Sequence, residues 1–260
     1  MNDLERYFNQ NEGRLIHKWV HYFDIYDRYF DRYRNQEVVI LEIGVSQGGS
    51  LQMWKDYFGS KAKIYGIDID PRCKALEEEN IQIFIGSQAN PSFLNEIKTQ
   101  IPPIDILIDD GGHTMNQQII SFEELYSHVK EDGIYLCEDV MTSYWLTYGG
   151  GHRRSGTFIE YCKRLIDQLH AYNSHQASLA VNDFTRSTNS IHFYDGIVVI
   201  EKGSRQTPPY HTKKGKPSFE PHKSLKRSFF SRAKSALRYR GILHVNRLLQ
   251  LLRIRGFIWR

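Results

Sequence analysis

Two acidic clusters near the middle of the chain carry the residue types best suited to chemistry. The first, at positions 109–113, reads Asp-Asp-Gly-Gly-His, and the second is the pair Glu138-Asp139. Each follows a short apolar run, and parallel strands end at one edge of a sheet, so we expect the clusters to lie side by side. Neighbouring carboxylates repel each other and are costly to bury, and a hard divalent cation removes that cost. This pattern predicts a metal site, with His113 placed to move a proton.

Each of these acids, taken singly, has a structural alternative. Asp109 could cap a helix or shape a turn with the two glycines that follow it. Asp110, Glu138 and Asp139 could instead accept hydrogen bonds from backbone amides. Two clusters at neighbouring strand ends, together with a histidine, favour the metal over these alternatives.

Apolar runs, glycine-bearing turns and helical segments surround the clusters. Strands are predicted at 38–43, 63–67, 81–85, 104–108 and 134–137, and helices at 50–58 and 115–129. Near-continuous apolar strands that alternate with helices are typical of a parallel sheet covered on both faces. Two more strands, 191–194 and 197–201, flank Asp195-Gly196, a dipeptide suited to a type I′ hairpin. We therefore expect an α/β, Rossmann-like three-layer sandwich with a mostly parallel seven-stranded sheet closed by an antiparallel hairpin.

The chain divides by composition into three predicted parts: 1–36, 37–203 and 204–260. The first is a helical segment, because apolar and aromatic residues recur there every three or four positions: Leu15, Trp19, Tyr22, Phe23, Tyr26 and Phe30. The second is the α/β domain. The third is a basic linker followed by an amphipathic helical tail.

The charge of the chain is distributed unevenly. Positions 205–260 hold 15 Lys/Arg and one acidic residue, whereas the remainder holds 19 Lys/Arg and 29 Asp/Glu. Within the tail, 225–252 combine apolar and basic residues at helical spacing, which suits an anionic membrane surface or self-association. Nucleic-acid binding ranks below these two. We expect a homo-oligomer.

Cysteine content and hydropathy bear on the compartment. Cys73, Cys137 and Cys162 form neither a zinc pattern nor a disulfide framework, which favours a reducing environment. No signal peptide is recognised at the start of the chain, and no apolar run approaches the ~18 residues of a membrane span. The prediction is a cytoplasmic protein, with peripheral attachment to the inner face of the membrane as a further option.

The loop after the first predicted strand indicates a nucleotide-type ligand. It begins Glu42-Ile43-Gly44 and continues to Gly48, and glycines permit close backbone approach to a ligand. The dinucleotide fingerprint G-x-G-x-x-G requires glycine at position 46, which is Ser46 here, so nicotinamide and flavin cofactors are disfavoured. Asp68 ends the second strand, where a carboxylate can accept the ribose hydroxyls of an adenosine.

These residues resemble the motifs of a known protein family. The pattern Glu42-x-Gly44-x-x-x-Gly48 with Asp68 resembles the S-adenosylmethionine site of Rossmann-like methyltransferases, over roughly 38–202. More narrowly, positions 41–54, 65–70, 109–113 and 138–139 are similar to bacterial Mg²⁺-dependent sugar O-methyltransferases of macrolide glycosides. Cephalosporin-hydroxylase-like proteins share the metal pattern.

The resemblance implies a role for each candidate residue. The expected cofactors are S-adenosylmethionine and Mg²⁺, and the expected acceptor is a hydroxyl of a sugar or glycoside. The counterparts of Asp110, Glu138 and Asp139 bind the cation, and that of His113 is the general base. On the cofactor side stand Glu42, which would orient the loop, Asp68 at the ribose, and Gly44, Gly48, Ser50, Ser87, Gln88 and Asp109.

Several alternatives stay open at this point. A catechol-type phenol could chelate a metal in the same way as a sugar diol, and a non-catalytic nucleotide-binding module recruited by the basic tail is a different class of protein. The glycine-rich stretch 143–156 is either a flap over the site or a solvated connection. It carries His152, a second candidate for substrate contact. Tyr144 and Trp145 could stack on a sugar ring or pack in the core.

Overall fold

Seven strands form one sheet in the computed structural model, which describes residues 1–219 and positions 240, 241, 244, 245 and 248. The spatial order is β3-β2-β1-β4-β5-β7-β6. The first five strands run parallel, and β7 pairs antiparallel with both β5 and β6. The strands are β1 (Val39–Ile43), β2 (Lys63–Asp68), β3 (Ile81–Ile85), β4 (Ile104–Asp109), β5 (Val129–Cys137), β6 (Thr188–Phe193) and β7 (Val198–Lys202). This arrangement confirms the predicted α/β fold and its closing hairpin.

The turn between β6 and β7 differs from the predicted type I′ geometry. A type I′ turn needs positive φ at both central residues, and only Gly196 has it here, with φ of 78°. Tertiary contacts surround this turn: the Val140 amide donates to the Gly196 carbonyl at 3.1 Å. A Cβ on Gly196 would lie 2.1 Å from the Tyr22 hydroxyl oxygen, so glycine is required there for space as well as for conformation.

Helices cover both faces of the sheet. They are α1 (Asp3–Gln10), α2 (Tyr22–Phe30), α3 (Gly49–Phe58), α4 (Pro91–Gln100), α5 (Met115–Leu125), α6 (Phe158–Leu169) and α7 (Asp183–Ser187). The predicted helix 115–129 is shorter than expected, because a 3₁₀ turn follows α5 and β5 already begins at Val129. One apolar core includes residues of α1, α2 and α3, and the other includes residues of α4, α5 and α6.

The N-terminal segment is not the continuous helix that the aromatic spacing predicted. It holds two helices, α1 and α2, joined by a non-helical connection at 11–21. Leu15 and Trp19 lie on that connection and are 67% and 52% exposed, whereas the later aromatic residues of the pattern are buried in α2. The connection is held against α3, since a Cβ on Gly49 would lie 2.3 Å from the Leu15 carbonyl oxygen.

Contacts group Met1–Tyr210 into one unit and His211–Arg260 into another. All the elements above belong to the first unit. The predicted boundaries at 36/37 and 203/204 therefore stay predictions, and the amphipathic stretch 225–252 falls almost entirely outside the described residues. Among the described residues, no helix is both long and apolar enough to span a membrane.

Candidate functional site

Backbone hydrogen bonds tie the ends of β1, β4 and β5 together. The Asp110 amide donates to the Ile43 carbonyl, and the Glu138 amide donates to the Asp109 carbonyl, each at 2.9 Å. The two acidic clusters therefore lie on adjacent strand ends, as the apolar runs before them indicated. The order of strands reverses between β1 and β4, which is the point where open α/β sheets bind ligands.

Gly44 marks a close approach between the cofactor loop and the first acidic cluster. Its φ is 97°, and a Cβ there would lie 2.0 Å from the Asp110 carbonyl oxygen. No side chain fits at that distance, so the predicted glycine is required by the contact between these two loops.

A cavity of about 410 Å³ opens beside this contact. Eight of the twelve predicted site residues line it: Gly44, Ser50, Asp68, Ser87, Gln88, Asp110, His113 and Asp139. The other four do not line it: Glu42, Gly48, Asp109 and Glu138. Of these, Glu42, Asp109 and Glu138 are buried. Residues 15–18 of the N-terminal connection form one wall of the cavity, which the sequence did not indicate.

Asp68 is oriented by the backbone around it. Its Oδ2 accepts a hydrogen bond from the Ser46 amide at 2.9 Å, and its Oδ1 accepts one from the Asp70 amide at 2.9 Å. Ser46 has φ of 50°, a left-handed conformation that is uncommon for a side chain of this kind. Asp68 is only partly buried and lines the cavity. Its remaining lone pairs suit the hydroxyl groups of a ribose.

Glu42 lies behind the cofactor loop and not in the cavity. Its Oε2 accepts hydrogen bonds from Ser50 Oγ at 2.9 Å and Trp54 Nε1 at 3.2 Å. This side chain therefore links β1 to the first two turns of α3 and braces the loop between them. Burial raises the pKa of Glu42 to about 7.

Gln88 and Asp109 form a buried pair below the first acidic cluster. Gln88 Nε2 donates to Asp109 Oδ1 at 2.9 Å and to Ser121 Oγ at 3.0 Å. The carbonyl oxygen of Gln88 accepts from the Gly112 amide at 2.7 Å. Burial raises the pKa of Asp109 to about 7. Both polar ends of the Gln88 side chain are thus engaged in holding the turn 109–113 in place.

Asp110, His113 and Asp139 bring three potential ligand atoms to the cavity, all within 4.8 Å of one another. His113 Nε2 lies 3.8 Å from Asp110 Oδ1 and 3.7 Å from Asp139 Oδ2. His113 and Asp139 have φ of 55° and 51°. Left-handed backbone at non-glycine residues costs on the order of 1–3 kcal/mol and is concentrated at functional sites.

Lys18 is the residue of this site that the sequence reasoning missed. Its Nζ lies 2.6 Å from Asp110 Oδ2, 2.9 Å from Glu138 Oε1 and 3.7 Å from Glu42 Oε1, and its side chain is only 3% exposed. Glu138, predicted as a metal ligand, is thus buried against this ammonium and lies outside the group of three atoms at the cavity. No local pattern points to Lys18, because its partners lie 92 and 120 positions away.

Two aromatic residues from the same N-terminal segment hold Asp139. Tyr22 donates its hydroxyl to Asp139 Oδ1 at 2.8 Å, and Trp19 Nε1 donates to the same oxygen at 3.1 Å. The other oxygen, Oδ2, faces His113. The sequence predicted Tyr22 to be a core residue of a helix, and it is buried in α2. Its hydroxyl also orients Asp139, which the sequence did not indicate.

Charge is not balanced around Lys18. Burial alone would lower the pKa of its ammonium, but the carboxylates of Asp110, Glu138 and Glu42 raise the pKa overall, so Lys18 stays charged. Burial and the neighbouring Asp110 raise the pKa of Glu138 to about 8. One ammonium faces three carboxyl groups, with Asp139 as a fourth nearby, and the raised pKa values of Glu42 and Glu138 mean that a proton or a further cation is needed to relieve their repulsion.

This donor set fits a hard divalent cation. Carboxylate oxygens are the ligands that Mg²⁺ prefers, and an excess of negative charge at a partly buried site attracts such an ion. Several buried polar atoms at this site have no hydrogen-bond partner among the described residues, including Glu42 Oε1, Asp109 Oδ2 and His113 Nδ1. Near Lys18 and at His113, the site thus holds buried polar atoms that could still form a hydrogen bond.

The stretch 143–156 does not contribute to this cavity. Its backbone folds back on itself, since the Gly151 amide donates to the Ser143 carbonyl at 2.8 Å. His152 is exposed, and Trp145 is 48% exposed. Tyr144 lines a separate, largely apolar cavity with residues of α6 and the β6–β7 turn. The flap and the stacking roles remain predictions.

The fold, with an acidic cluster at the ends of β4 and β5, is that of Rossmann-like methyltransferase domains. Residues 41–140 match a family described as a methyltransferase domain. This finding confirms the predicted resemblance.

Individual relatives narrow the comparison. The chain is 37% identical over 203 residues to demethylmacrocin O-methyltransferase of Streptomyces fradiae, covering 73% of this chain and 51% of that protein. It is 36% identical over 210 residues to mycinamicin VI 2''-O-methyltransferase of Micromonospora griseorubida, covering 76% and 51%.

A solved structure supports the same comparison. The MycE methyltransferase from the mycinamycin biosynthetic pathway, in complex with Mg, SAH and mycinamycin VI, has a TM-score of 0.69 at 32% identity. The match covers 90% of this chain and 58% of that chain. The chain thus spans about half the length of the curated relatives that it matches.

Proposed function

We propose that this protein is an S-adenosylmethionine-dependent, Mg²⁺-dependent O-methyltransferase that acts on a hydroxyl group of a sugar or glycoside. The observation that carries the proposal is the placement of Asp110, His113 and Asp139 on one wall of the cavity that Gly44 and Asp68 also line. The proposed cofactor site, the proposed cation site and the ring nitrogens of His113 therefore lie in the same cavity.

The cofactor half of the cavity would bind S-adenosylmethionine, which supplies an electrophilic methyl group when bound. Asp68 would accept the ribose hydroxyls, and the backbone at Gly44 permits close approach of the ligand. Ser87 and Gln88 line the end of the cavity formed by the turn after β3, where the adenine is expected.

The acidic half would hold Mg²⁺ through Asp110 and Asp139, with Glu138 as the third predicted ligand. A bound divalent cation lowers the pKa of a hydroxyl that it contacts and fixes the direction of that hydroxyl. The hydrogen bonds from Tyr22 and Trp19 leave Oδ2 of Asp139 directed at His113, so the chain itself orients this carboxylate.

His113 would remove the proton of the acceptor hydroxyl. Its ring lies between two carboxylates and lines the cavity. General-base assistance of this kind is worth about 10²- to 10⁴-fold in rate.

The expected acceptor class rests on the relatives, whose names describe methylation of macrolide and rhamnosyl compounds. A sugar diol offers two neighbouring oxygens to a cation, and so does a catechol. The acceptor panel in the test below therefore contains both chemical types.

The test measures methyl transfer from S-adenosylmethionine to free and glycoside-bound deoxysugars and to catechol, before and after exhaustive chelation. We expect transfer to a sugar hydroxyl that chelation abolishes and added Mg²⁺ restores. Calorimetry with S-adenosylhomocysteine runs in parallel. Transfer that persists in chelator would refute the metal part, and transfer to catechol alone would refute the acceptor class. If the protein binds neither S-adenosylhomocysteine nor Mg²⁺, the proposal that it is a methyltransferase would be refuted.

A further inference from the structure

A buried lysine inside an acidic cation site needs an explanation of its own. Lys18 comes from the non-helical connection between α1 and α2 and contacts Asp110 and Glu138, which follow β4 and β5. A lysine with a side chain 3% exposed is rare unless it is paired, and here every carboxylate around it belongs to or adjoins the site.

We propose that Lys18 is a positioning residue of the cation site and that it keeps its place when the cation is bound. This inference rests on the proposed function. The ammonium holds one oxygen of Asp110 and one oxygen of Glu138, and thereby leaves the other oxygen of Asp110 toward the cavity and fixes the buried Glu138 beside it.

The division of oxygen atoms within Asp110 supports this role. Lys18 Nζ contacts Oδ2 at 2.6 Å, whereas Oδ1 is the atom that faces His113 at 3.8 Å. One carboxylate thus serves the ammonium on its inner side and the cavity on its outer side. Asp139 is divided in the same way, because Tyr22 and Trp19 hold Oδ1 and leave Oδ2 toward His113.

The connection that carries Lys18 is firmly anchored on both sides. Before it, Arg14 donates to the Leu76 carbonyl at 3.0 Å and lies 3.0 Å from Glu78. After it, Trp19 donates to Asp139. These contacts hold the chain on both sides of Lys18 in place, and a side chain only 3% exposed has little room to leave the cluster, so the structure favours a fixed ammonium over one that an incoming cation displaces.

A fixed ammonium and a competing ammonium make opposite predictions for the Lys18→Met variant. If Lys18 orients the ligands, its loss lets Asp110 and Glu138 relax, and residues that orient metal ligands typically contribute about 10- to 100-fold to metal affinity. If Lys18 competes for the same oxygens, its removal leaves a more negative and unobstructed site, and cation affinity rises.

The experiment is a titration with Mn²⁺, followed by electron paramagnetic resonance, on the full chain. We expect Lys18→Met to bind Mn²⁺ about 10- to 100-fold more weakly than wild type, with an altered spectrum of the bound ion. Lys98→Met is the matched control, since Lys98 on α4 bonds the Glu124 carbonyl of α5 away from the cavity, and it should bind as wild type does. Folding of each variant is checked by thermal unfolding and by S-adenosylhomocysteine binding.

Unchanged or tighter Mn²⁺ binding by folded Lys18→Met would overturn the inference while the proposed function stands. Absence of Mn²⁺ binding by wild type would overturn both. A measurement on wild type covers the case in which the variant fails to fold: amine acylation, quantified by mass spectrometry, with and without saturating Mn²⁺. Lys18 should stay unreactive in both samples, with the exposed Lys163 as the positive control. Labelling of Lys18 that increases with Mn²⁺ would show displacement and overturn the inference.

Discussion

The two halves of the cavity are built by different means. The cofactor half consists of the loop after β1 and the end of β2, where backbone amides hold Asp68 and a glycine permits close approach. The acidic half is assembled from side chains of three distant segments around 18–22, 110–113 and 138–139. The cofactor half thus depends on local backbone conformation, whereas the acidic half beside it depends on contacts between charged side chains.

This difference has consequences for how each half responds to change. In the cofactor half, a substitution acts within two neighbouring loops, because the hydrogen-bond partners of Asp68 are the backbone amides of Ser46 and Asp70. In the acidic half, carboxylates share partners, so a change at one residue also alters the orientation and protonation of its neighbours. The two halves should therefore be separable by mutation, except at residues that belong to both.

The largest separation is expected at His113. In His113→Ala, turnover should fall about 10²- to 10⁴-fold, because the proton acceptor is removed, while S-adenosylmethionine affinity stays near the wild-type value. Single-turnover transfer and calorimetry measure the two quantities on the same preparation.

His170→Ala is the control for the loss of a histidine, since His170 is exposed and does not line the cavity. It should retain turnover. A His113→Ala variant with full activity would exclude His113 as the base, and a parallel loss of cofactor affinity would show that the two halves are not independent.

The same contrast explains how much could be predicted from the sequence. Gly44 and Asp68 were identifiable because they act over short stretches directly after predicted strands. Asp110, His113 and Asp139 were also identifiable, since apolar strand patterns fix which residues come at the carboxyl edge. The seven strands followed from the same runs of apolar residues.

Contacts between distant segments could not be predicted in this way. The periodicity of aromatic residues in the first 36 positions indicated a helix, but tight packing of 11–21 against Gly49 keeps that part extended and brings Lys18 into the site. Gln88 was expected on the cofactor side and lines the cavity there, but its hydrogen bonds to Asp109, Ser121 and the Gly112 amide could not be predicted. Both observations depend on partners that no local pattern reveals.

At Asp68 we expect a smaller effect in the opposite sense, in which cofactor binding weakens and the acidic half is unaffected. In Asp68→Asn, S-adenosylhomocysteine affinity should fall about 10- to 100-fold, because hydrogen bonds to a charged acceptor contribute about 1.5–3 kcal/mol. Mn²⁺ affinity should not change, since Asp68 lies on the β2 side of the cavity and outside the acidic half.

Calorimetry and Mn²⁺ titration measure the two affinities. Asp183→Asn, on the exposed surface of α7, is the control for removal of a carboxylate. Weaker Mn²⁺ binding by Asp68→Asn would contradict the separation of the two halves.

The last prediction concerns the stability of the protein and not ligand binding, at Glu42, which contacts both halves from behind the cavity. Its Oε2 is bonded to Ser50 and Trp54 behind the cofactor loop, and its Oε1 lies 3.7 Å from Lys18 in the acidic half. Burial raises its pKa from the ordinary 4.5 to about 7. Between these values the folded protein retains a proton that the unfolded chain has lost, so stability falls as the pH rises from about 4.5 to about 7.

Glu42→Gln should remove this contribution while keeping an oxygen that accepts from Ser50 and Trp54. We expect the variant to match wild type in unfolding free energy below about pH 4.5 and to exceed it by up to about 3 kcal/mol above about pH 7. Denaturant titrations at both ends of this range measure the difference, and the low-pH pair is the internal control. A stability difference that does not vary with pH would mean that Glu42 is already ionised in the folded state, with Lys18 balancing its charge. The boundary between the two halves would then lie at the Glu42–Lys18 pair and not within the Glu42 side chain.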